Sequence, residues 1–259
     1  MYHFFVEARQ KDGETIRITG TDVNHIGNVL RMHPGEQILI SDEDRTDYLC
    51  EIAQIGRDEV LAAILETRSE NHELPSKIVL FQGLPKADKM ELIIQKAVEL
   101  GAAQVVPVAM KRSVVKLDAK KEKTKLARWQ ALAESAAKQS KRSLIPEVTG
   151  VKTLSEALEL AKELDVFLVP YESAEGIRKT RAVLAGLQPG QSIGVLIGPE
   201  GGFEPAEAQA AEEAGGTIIS LGKRILRTET AGISLLGTLM LQLEQDEGYT
   251  EESGAKNRS

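Results

Sequence analysis

The sequence predicts an α/β chain in two parts: a small N-terminal β-barrel, then a parallel sheet with helices on both faces. Three observations predict this. Up to about residue 70, strand-forming runs are short and closely spaced, as in a small barrel. Beyond Ser76, strand and helix patterns alternate, which builds a parallel sheet covered on both sides. Between them, ETRSENHELPS, Glu66 to Ser76, is polar and reads as a connection. The domains therefore run 1–70 and 77–245, with a linker at 71–76 and a flexible polar tail at 246–259.

The first domain offers ETIRIT, EQILISDE, DYLCEIAQI and EVLAAILE as strands, with turns at Lys11-Asp-Gly, Pro34-Gly and Gly56-Arg-Asp. DVNHIGNVLRM is a short helix with Asp22 as its N-cap. In the second domain KIVLFQGL is a strand and ADKMELIIQKAVELGA an amphipathic helix that stops at Gly101. QVVPVAM is a strand. Helices follow from about Asp118 to Ser140 and from Leu154 to Leu164. VFLVPYE and SIGVLIG are strands, and PAEAQAAEEAGG is a helix with Pro205 in its first turn and Gly215 at its end. TIISLG is the last strand, and a helix from about Glu229 to Glu244 closes the fold.

Composition removes several function classes. Cys50 is the only cysteine, which excludes an intramolecular disulfide, a cysteine-rich zinc site and a three-cysteine radical cluster. It lies in a strand and reads as a buried structural thiol. The four histidines, His3, His25, His33 and His72, all precede the later glycine loops and show no ligand spacing, so no metal is expected. No apolar run approaches a membrane span, and MYHFFVEARQ lacks the features of a signal peptide, so the expected location is cytoplasmic.

Net charge is −7, yet between Lys111 and Arg142 eleven Lys or Arg stand against three Asp or Glu. Such segregation on an acidic chain points to a polyanion, RNA or DNA, held at one face.

Two glycine-bearing loops follow late strands: IGPEGGF, Ile197 to Phe203, and LGKRILRTETA, Leu221 to Ala231. Neither has Walker A spacing, and the first strand of the sheet ends with one glycine, which fails the dinucleotide fingerprint. Gly198, Gly201 and Gly202 let backbone approach a flat ring. Leu221, Ile225 and Leu226 supply an apolar wall, and Glu200 accepts hydrogen bonds from hydroxyls or an ammonium. Such a site suits an adenosine-like ligand without a phosphate chain. The alternative is that the glycines only make tight turns.

IGPEGGF with LGKRILRTETA resembles the SPOUT-class RNA methyltransferases of the RsmE type. HIGNVLRMHPGE, KADKMELIIQKAVELGA, KRSVVK and the RW…ESAAKQSKR…IPEV series extend the likeness from about His3 to Leu243. The resemblance implies a C-terminal trefoil knot, a PUA-like N-terminal barrel and a homodimer. It implies S-adenosylmethionine as methyl donor and N3 of a uridine in 16S ribosomal RNA of the small subunit as acceptor. Cofactor contacts fall on Leu196, Gly198, Pro199, Glu200, Gly201, Gly202, Leu221, Gly222, Ile225, Leu226, Thr228, Thr230 and Ala231. One departure is Lys138, where many relatives carry Glu or Cys.

Uridine N3 is a poor nucleophile until its proton leaves, and a guanidinium stabilises the resulting anion. Arg227 is assigned that role, with Arg224 in reserve; alternatively either arginine braces Glu200 or Glu229. Glu200 and Glu229 are both candidate bases. Thr228, Thr230 and Ala231 begin the last helix, whose amides can cap a ligand carboxylate. That helix, GISLLGTLMLQL, is apolar on enough faces to bury against a partner. Arg31, Lys86, Lys89, Arg112, Lys116, Arg128 and Arg142 are assigned to RNA, and Trp129 either stacks a base or packs. Two other readings stay open: a 2′-O-ribose methyltransferase of the same superfamily, and a non-catalytic ribosome-assembly factor.

Overall fold

The computed structural model describes residues 1–68, 72–172 and 176–244. The first linker residue and the tail at 246–259 lie outside the described residues. The chain packs as two units. One comprises Met1–Glu73 with Ala131–Pro146, and the other Leu74–Gln130 with the chain from Glu147 onward.

The N-terminal unit holds a six-stranded sheet of β1 (Tyr2–Phe5), β2 (Lys11–Asp12), β3 (Thr15–Thr19), β4 (Gln37–Ser41), β5 (Asp47–Ile55) and β6 (Glu59–Arg68), in the order β1-β4-β5-β6-β3-β2. Only β1 and β4 run parallel. Alternation sets the faces: in β3, Ile16 and Ile18 are buried between exposed Thr15, Arg17 and Thr19. They join Phe4, Ile38, Cys50 and Ile52 in one core. Burial pushes the Cys50 thiol up to about 12, so at neutral pH it is no nucleophile.

DVNHIGNVLRM departs from the expected helix. It forms α1 (Thr21–Asn24) followed by a π-helical turn, His25–Val29. The N-cap is Gly20, at φ 78°, not Asp22. Asp22 is instead used on Lys138, whose ammonium lies 3.2 Å from Asp22 and 2.8 Å from Glu134.

The segment 131–146, which the sequence boundaries put in the second domain, joins this unit through polar contacts. Arg142 is buried, and its Nε lies 3.2 Å from both carboxylate oxygens of buried Glu73. The amides of Ser143 and Leu144 donate to the same carboxylate. Arg142 is therefore an internal strut and not the RNA contact expected of it: extracting it would strand a buried carboxylate. Nearby, Asp47 accepts from the hydroxyls of Ser41 and Ser143, and Ser41 in turn accepts from His3 Nε2 at 2.7 Å.

The second unit contains β7 (Lys77–Gly83), α2 (Lys89–Glu99), β8 (Ala102–Ala109), β9 (Glu147–Val148), β10 (Lys152–Thr153), α4 (Leu154–Ala161), β11 (Val166–Pro170), α5 (Ile177–Ala185), β12 (Ser192–Ile197), α6 (Pro205–Glu213), β13 (Thr217–Ile219) and α7 (Thr228–Leu243). The division between units passes through α3 (Ala119–Ser140). All pairings in this sheet are parallel, in the order β10-β8-β7-β12-β11-β13, with β9 beside β8. α2 stops where predicted, with Gly101 at φ +87° just past its end. α5 has no counterpart in the sequence reading; it is nine residues long and its only fully buried residue is the polar Thr180. The Thr180 hydroxyl donates to Ser220 O at 2.8 Å and accepts from Ser220 N–H, tying α5 to the end of β13. Trp129 is 2% exposed and packs rather than stacking a base.

His3 carries a pH signature. Burial, against a smaller opposing pull from Asp47, lowers its pKa to about 4 from 6.5. The folded state thus resists a proton that the unfolded chain accepts. Stability is full above the unfolded value and is lost as pH falls from about 6.5 toward 4. Urea unfolding followed by circular dichroism should show about 2 kcal/mol lost to this group between pH 7 and pH 5. His3→Gln should flatten that slope; an unchanged slope would remove His3 as its origin.

Candidate functional site

In a parallel sheet every strand ends at the same edge. Here the loops after β7, β8, β11, β12 and β13 all leave one side. Sequence order reverses between β7 and β12: β8 continues on one flank, while β11 and β13 lie on the other. In open α/β sheets ligands are taken outside the carboxyl ends of the strands at such a reversal. The first predicted glycine loop follows β12 at this point, and the second runs into α7 at Thr228, which bonds Gly198 O.

The ends of β7 and β12 are locked together. Gln82 pairs in register with Ile197 and is fully buried. Its Nε2 donates to Gly83 O and to Thr228 Oγ1, both at 2.9 Å. The Thr228 hydroxyl donates onward to Gly198 O at 2.7 Å. One amide and one hydroxyl thus join strand β7, the loop after β12 and the first residue of α7. Gly83 is required, since a Cβ there would stand 2.7 Å from Pro199 Cδ.

The glycine loop turns by Gly202 N–H donating to Pro199 O at 2.9 Å, with Gly202 at φ +67°. A Cβ on Gly198 would come within 3.2 Å of Gly202, and one on Gly201 within 2.9 Å of Arg112 Cβ. Those two glycines therefore serve the close packing of the protein itself, whereas a Cβ on Gly202 or Gly222 would meet open space. Leu221 and Leu226 are half-buried, and Ile225 is 80% exposed. An apolar residue thrown into solvent beside two half-buried leucines fits a loop that awaits an apolar ring.

Glu200 and Glu229 are both held by Lys89, at 3.1 and 3.2 Å from its ammonium. Glu200 also accepts from the Lys86 amide at 3.0 Å. Partial burial pushes the Glu200 pKa up, but hydrogen bonds from its own amide, the Lys86 amide and the Lys89 ammonium outweigh this and hold it below the ordinary range. The hydrogen bond to Glu200 is the main cause raising the Lys89 pKa, and Glu229 adds to it. The expected bracing of these carboxylates by arginine is thus supplied by lysine. Arg224 and Arg227 are exposed and ion-pair with no described residue. Arg227 is the N-cap of α7, two residues before Glu229. Ala231 N–H already bonds Arg227 O, so the unfilled donors of α7 are the amides of Thr228, Glu229 and Thr230.

The residues assigned to RNA divide. Arg31, Lys86 and Lys116 are exposed. Arg128 is exposed but pairs with Glu91 at 2.7 Å. Arg112 donates to Gly201 O at 2.9 Å and lies 3.8 Å from Glu204, so it fastens the loop after β8 to the glycine loop. Lys111 N–H adds a bond to Glu207 at 2.8 Å. Gln82 was missed by sequence reasoning; its one signal is an amide closing an otherwise apolar strand, KIVLFQG. A cleft of about 520 Å³ opens between α5 and α6, lined by Tyr171, Lys179, Pro205, Glu212 and Ser220. Among the described residues no His, Cys, Asp and Glu cluster could hold a metal.

Comparison with known proteins agrees with this geometry. The family description of RNA methyltransferase domains matches residues 72–240, and that of RNA methyltransferase PUA domains matches residues 18–65. The chain is 41% identical over 250 residues to ribosomal RNA small subunit methyltransferase E of Bacillus subtilis, covering 94% of this chain and 98% of that one. It resembles a putative methyltransferase of Legionella pneumophila, solved with the bound cofactor SAM, at TM-score 0.81 and 30% identity, covering 93% and 97% of the two chains. It also resembles ribosomal RNA small subunit methyltransferase E of Neisseria gonorrhoeae bound to S-adenosyl methionine, at TM-score 0.78 and 32% identity, with the same coverage.

Thr228→Val keeps the side chain's shape and removes the hydroxyl. It leaves Gly198 C=O without its donor and one Gln82 N–H without its acceptor, both in buried surroundings. The expected cost is about 1–3 kcal/mol, with faster hydrogen exchange across 198–203. A variant as stable as the parent, with unchanged exchange, would show that the junction does not depend on this hydroxyl.

Proposed function

We propose that this chain, which belongs to the ribosomal RNA small subunit methyltransferase E family, methylates N3 of a uridine in 16S rRNA of the small subunit. The observation that carries the reading is the junction at the carboxyl ends of β7 and β12, where Thr228 bonds both Gln82 and Gly198 O and so brings the glycine loop to the start of α7. Two glycine-bearing loops border this junction, and an arginine without an ion-pair partner among the described residues caps the helix at its end.

S-adenosylmethionine, when bound, supplies a methyl group on a positively charged sulfur. The residues that would hold it are those of the two loops. Leu196, Gly198, Pro199, Gly201 and Gly202 lie on one side; Leu221, Gly222, Ile225 and Leu226 on the other. The free amides of Thr228, Glu229 and Thr230 would receive a carboxylate. The pocket's task is to align acceptor and methyl group and to keep water out while charge is neutralised.

The uracil must be unpaired, since N3–H is its Watson–Crick donor. Once that proton leaves to solvent, negative charge spreads over N3 and the flanking carbonyl oxygens. Arg227, exposed and without an ion-pair partner among the described residues, is set in this reading against that charge, with Arg224 as the reserve. Glu200 and Glu229 act here as anchors rather than bases. A general base needs appreciable proton affinity, and at Glu200 partial burial is outweighed by hydrogen bonds from its own amide, the Lys86 amide and the Lys89 ammonium, which hold it below the ordinary range.

The same reading includes a homodimer and a trefoil-knotted second domain. Supporting the dimer, Leu92 on α2 and Leu241 on α7 are 43% and 77% exposed on two helices that pack together. Exposed Lys86 and Lys116, and separately Arg31 on the N-terminal unit, would meet the RNA backbone. The setting is the cytoplasm, where the substrate is; no described helix is long and apolar enough to cross a membrane.

Small-subunit rRNA from cells lacking the protein, treated with the purified chain and labelled S-adenosylmethionine, should yield label in 3-methyluridine after digestion and mass spectrometry. Arg227→Ala should lower turnover about 100- to 1,000-fold. Label in a 2′-O-methylnucleoside would contradict the N3 chemistry. RNA binding with no label would favour an assembly factor.

A further inference from the structure

Lys89 is the first residue of α2. A cation there opposes the helix dipole, so helix stability does not account for it. Its surroundings do. Its ammonium lies 3.1 Å from Glu200, in the glycine loop, and 3.2 Å from Glu229, in the first turn of α7. The chain just before it is anchored to the same point, because Lys86 N–H donates to Glu200 at 3.0 Å. Ala87, between them, is held at φ +53°, a left-handed conformation that a non-glycine residue adopts only when its neighbours impose it. Three segments therefore converge on one cation: loop 84–88, the glycine loop and the start of α7.

We propose that Lys89 is a positioning residue for methyl transfer, whose ammonium bridges Glu200 and Glu229 and so fixes both cofactor loops and the Arg227 backbone in one arrangement. This rests on the function proposed above. It also replaces the role that charge alone suggests. A lysine already shared by two carboxylates has no need of an RNA phosphate, whereas exposed Lys86 and Lys116 are offered to one. Without Lys89 the two carboxylates lose the cation that links them. Each loop is then held by its remaining bonds, and mutual repulsion favours protonation of one carboxylate.

The test compares the full chain with Lys89→Met and Lys89→Arg. S-adenosylmethionine affinity is measured by calorimetry from pH 5 to 8, and small-subunit rRNA affinity across a salt series. Lys89→Met should weaken cofactor binding tenfold or more and lower kcat, with RNA affinity and its salt slope unchanged. Lys89→Arg, which can still reach both carboxylates, should recover most of the loss. Should Lys89→Met not fold, Glu200→Gln, which keeps the shape and removes the charge, must show the same cofactor loss. The opposite pattern overturns the inference: parental cofactor affinity, weaker RNA binding and a salt slope reduced by about one phosphate contact. If the unsubstituted chain transfers no methyl group, the proposed function fails, while cofactor affinities of the variants still decide the role of Lys89.

Discussion

One hydroxyl, that of Thr228, holds the end of a strand to the start of a helix, and the geometry of the second unit depends on it. It accepts from Gln82 and donates to Gly198 O, so β7, the loop after β12 and α7 share a single buried junction. The junction forms because β12 inserts between β7 and β11. Insertion presses Pro199 against Gly83, where only a hydrogen atom fits. Lys89 repeats the connection at the rim with charge in place of a hydroxyl. The inner link is dry and unscreened; the outer one is partly solvated and weaker per contact.

Function follows from what this arrangement leaves over. Backbone groups at the junction are spent on each other. Among the described residues, the groups left over include the amides at the start of α7, the buried Gln82 Oε1, the exposed Ile225 and the guanidinium of Arg227. In the proposed function the amides would take a ligand carboxylate, Ile225 an apolar ring and Arg227 a developing anion. The carboxylates of Glu200 and Glu229 are braced by Lys89, which leaves the arginines of the second loop out of that role.

Much of this was legible in the sequence, for a physical reason. Helix stops such as Gly101 and the tight turn at Gly202 need backbone angles that few residues besides glycine adopt, so glycine placement marks them. Strands buried on both faces read as unbroken apolar runs, as SIGVLI does. The rest was hidden because it depends on long-range pairing. α5 is short and buries only Thr180 fully, and it is placed by Thr180 on Ser220. Arg142 looked like one more cation in a basic run, yet its partner, Glu73, lies far away in sequence. Lys89 and Arg112 looked free for RNA for the same reason. Charge patterning finds cations; it does not reveal which have already met a carboxylate or carbonyl. The N-terminal unit repeats the lesson, since His3, Ser41, Asp47 and Ser143 form one buried network from scattered positions.

The most direct test of the account is hydrogen exchange of the full chain with and without S-adenosylmethionine. The central claim is that the two loops and the start of α7 form one cofactor site. It predicts slowed exchange together across 196–203 and 220–231, with the amides of Glu229 and Thr230 among the most protected. Slowing confined to α5 and α6, along the cleft lined by Lys179 and Glu212, with both loops unchanged, would contradict it.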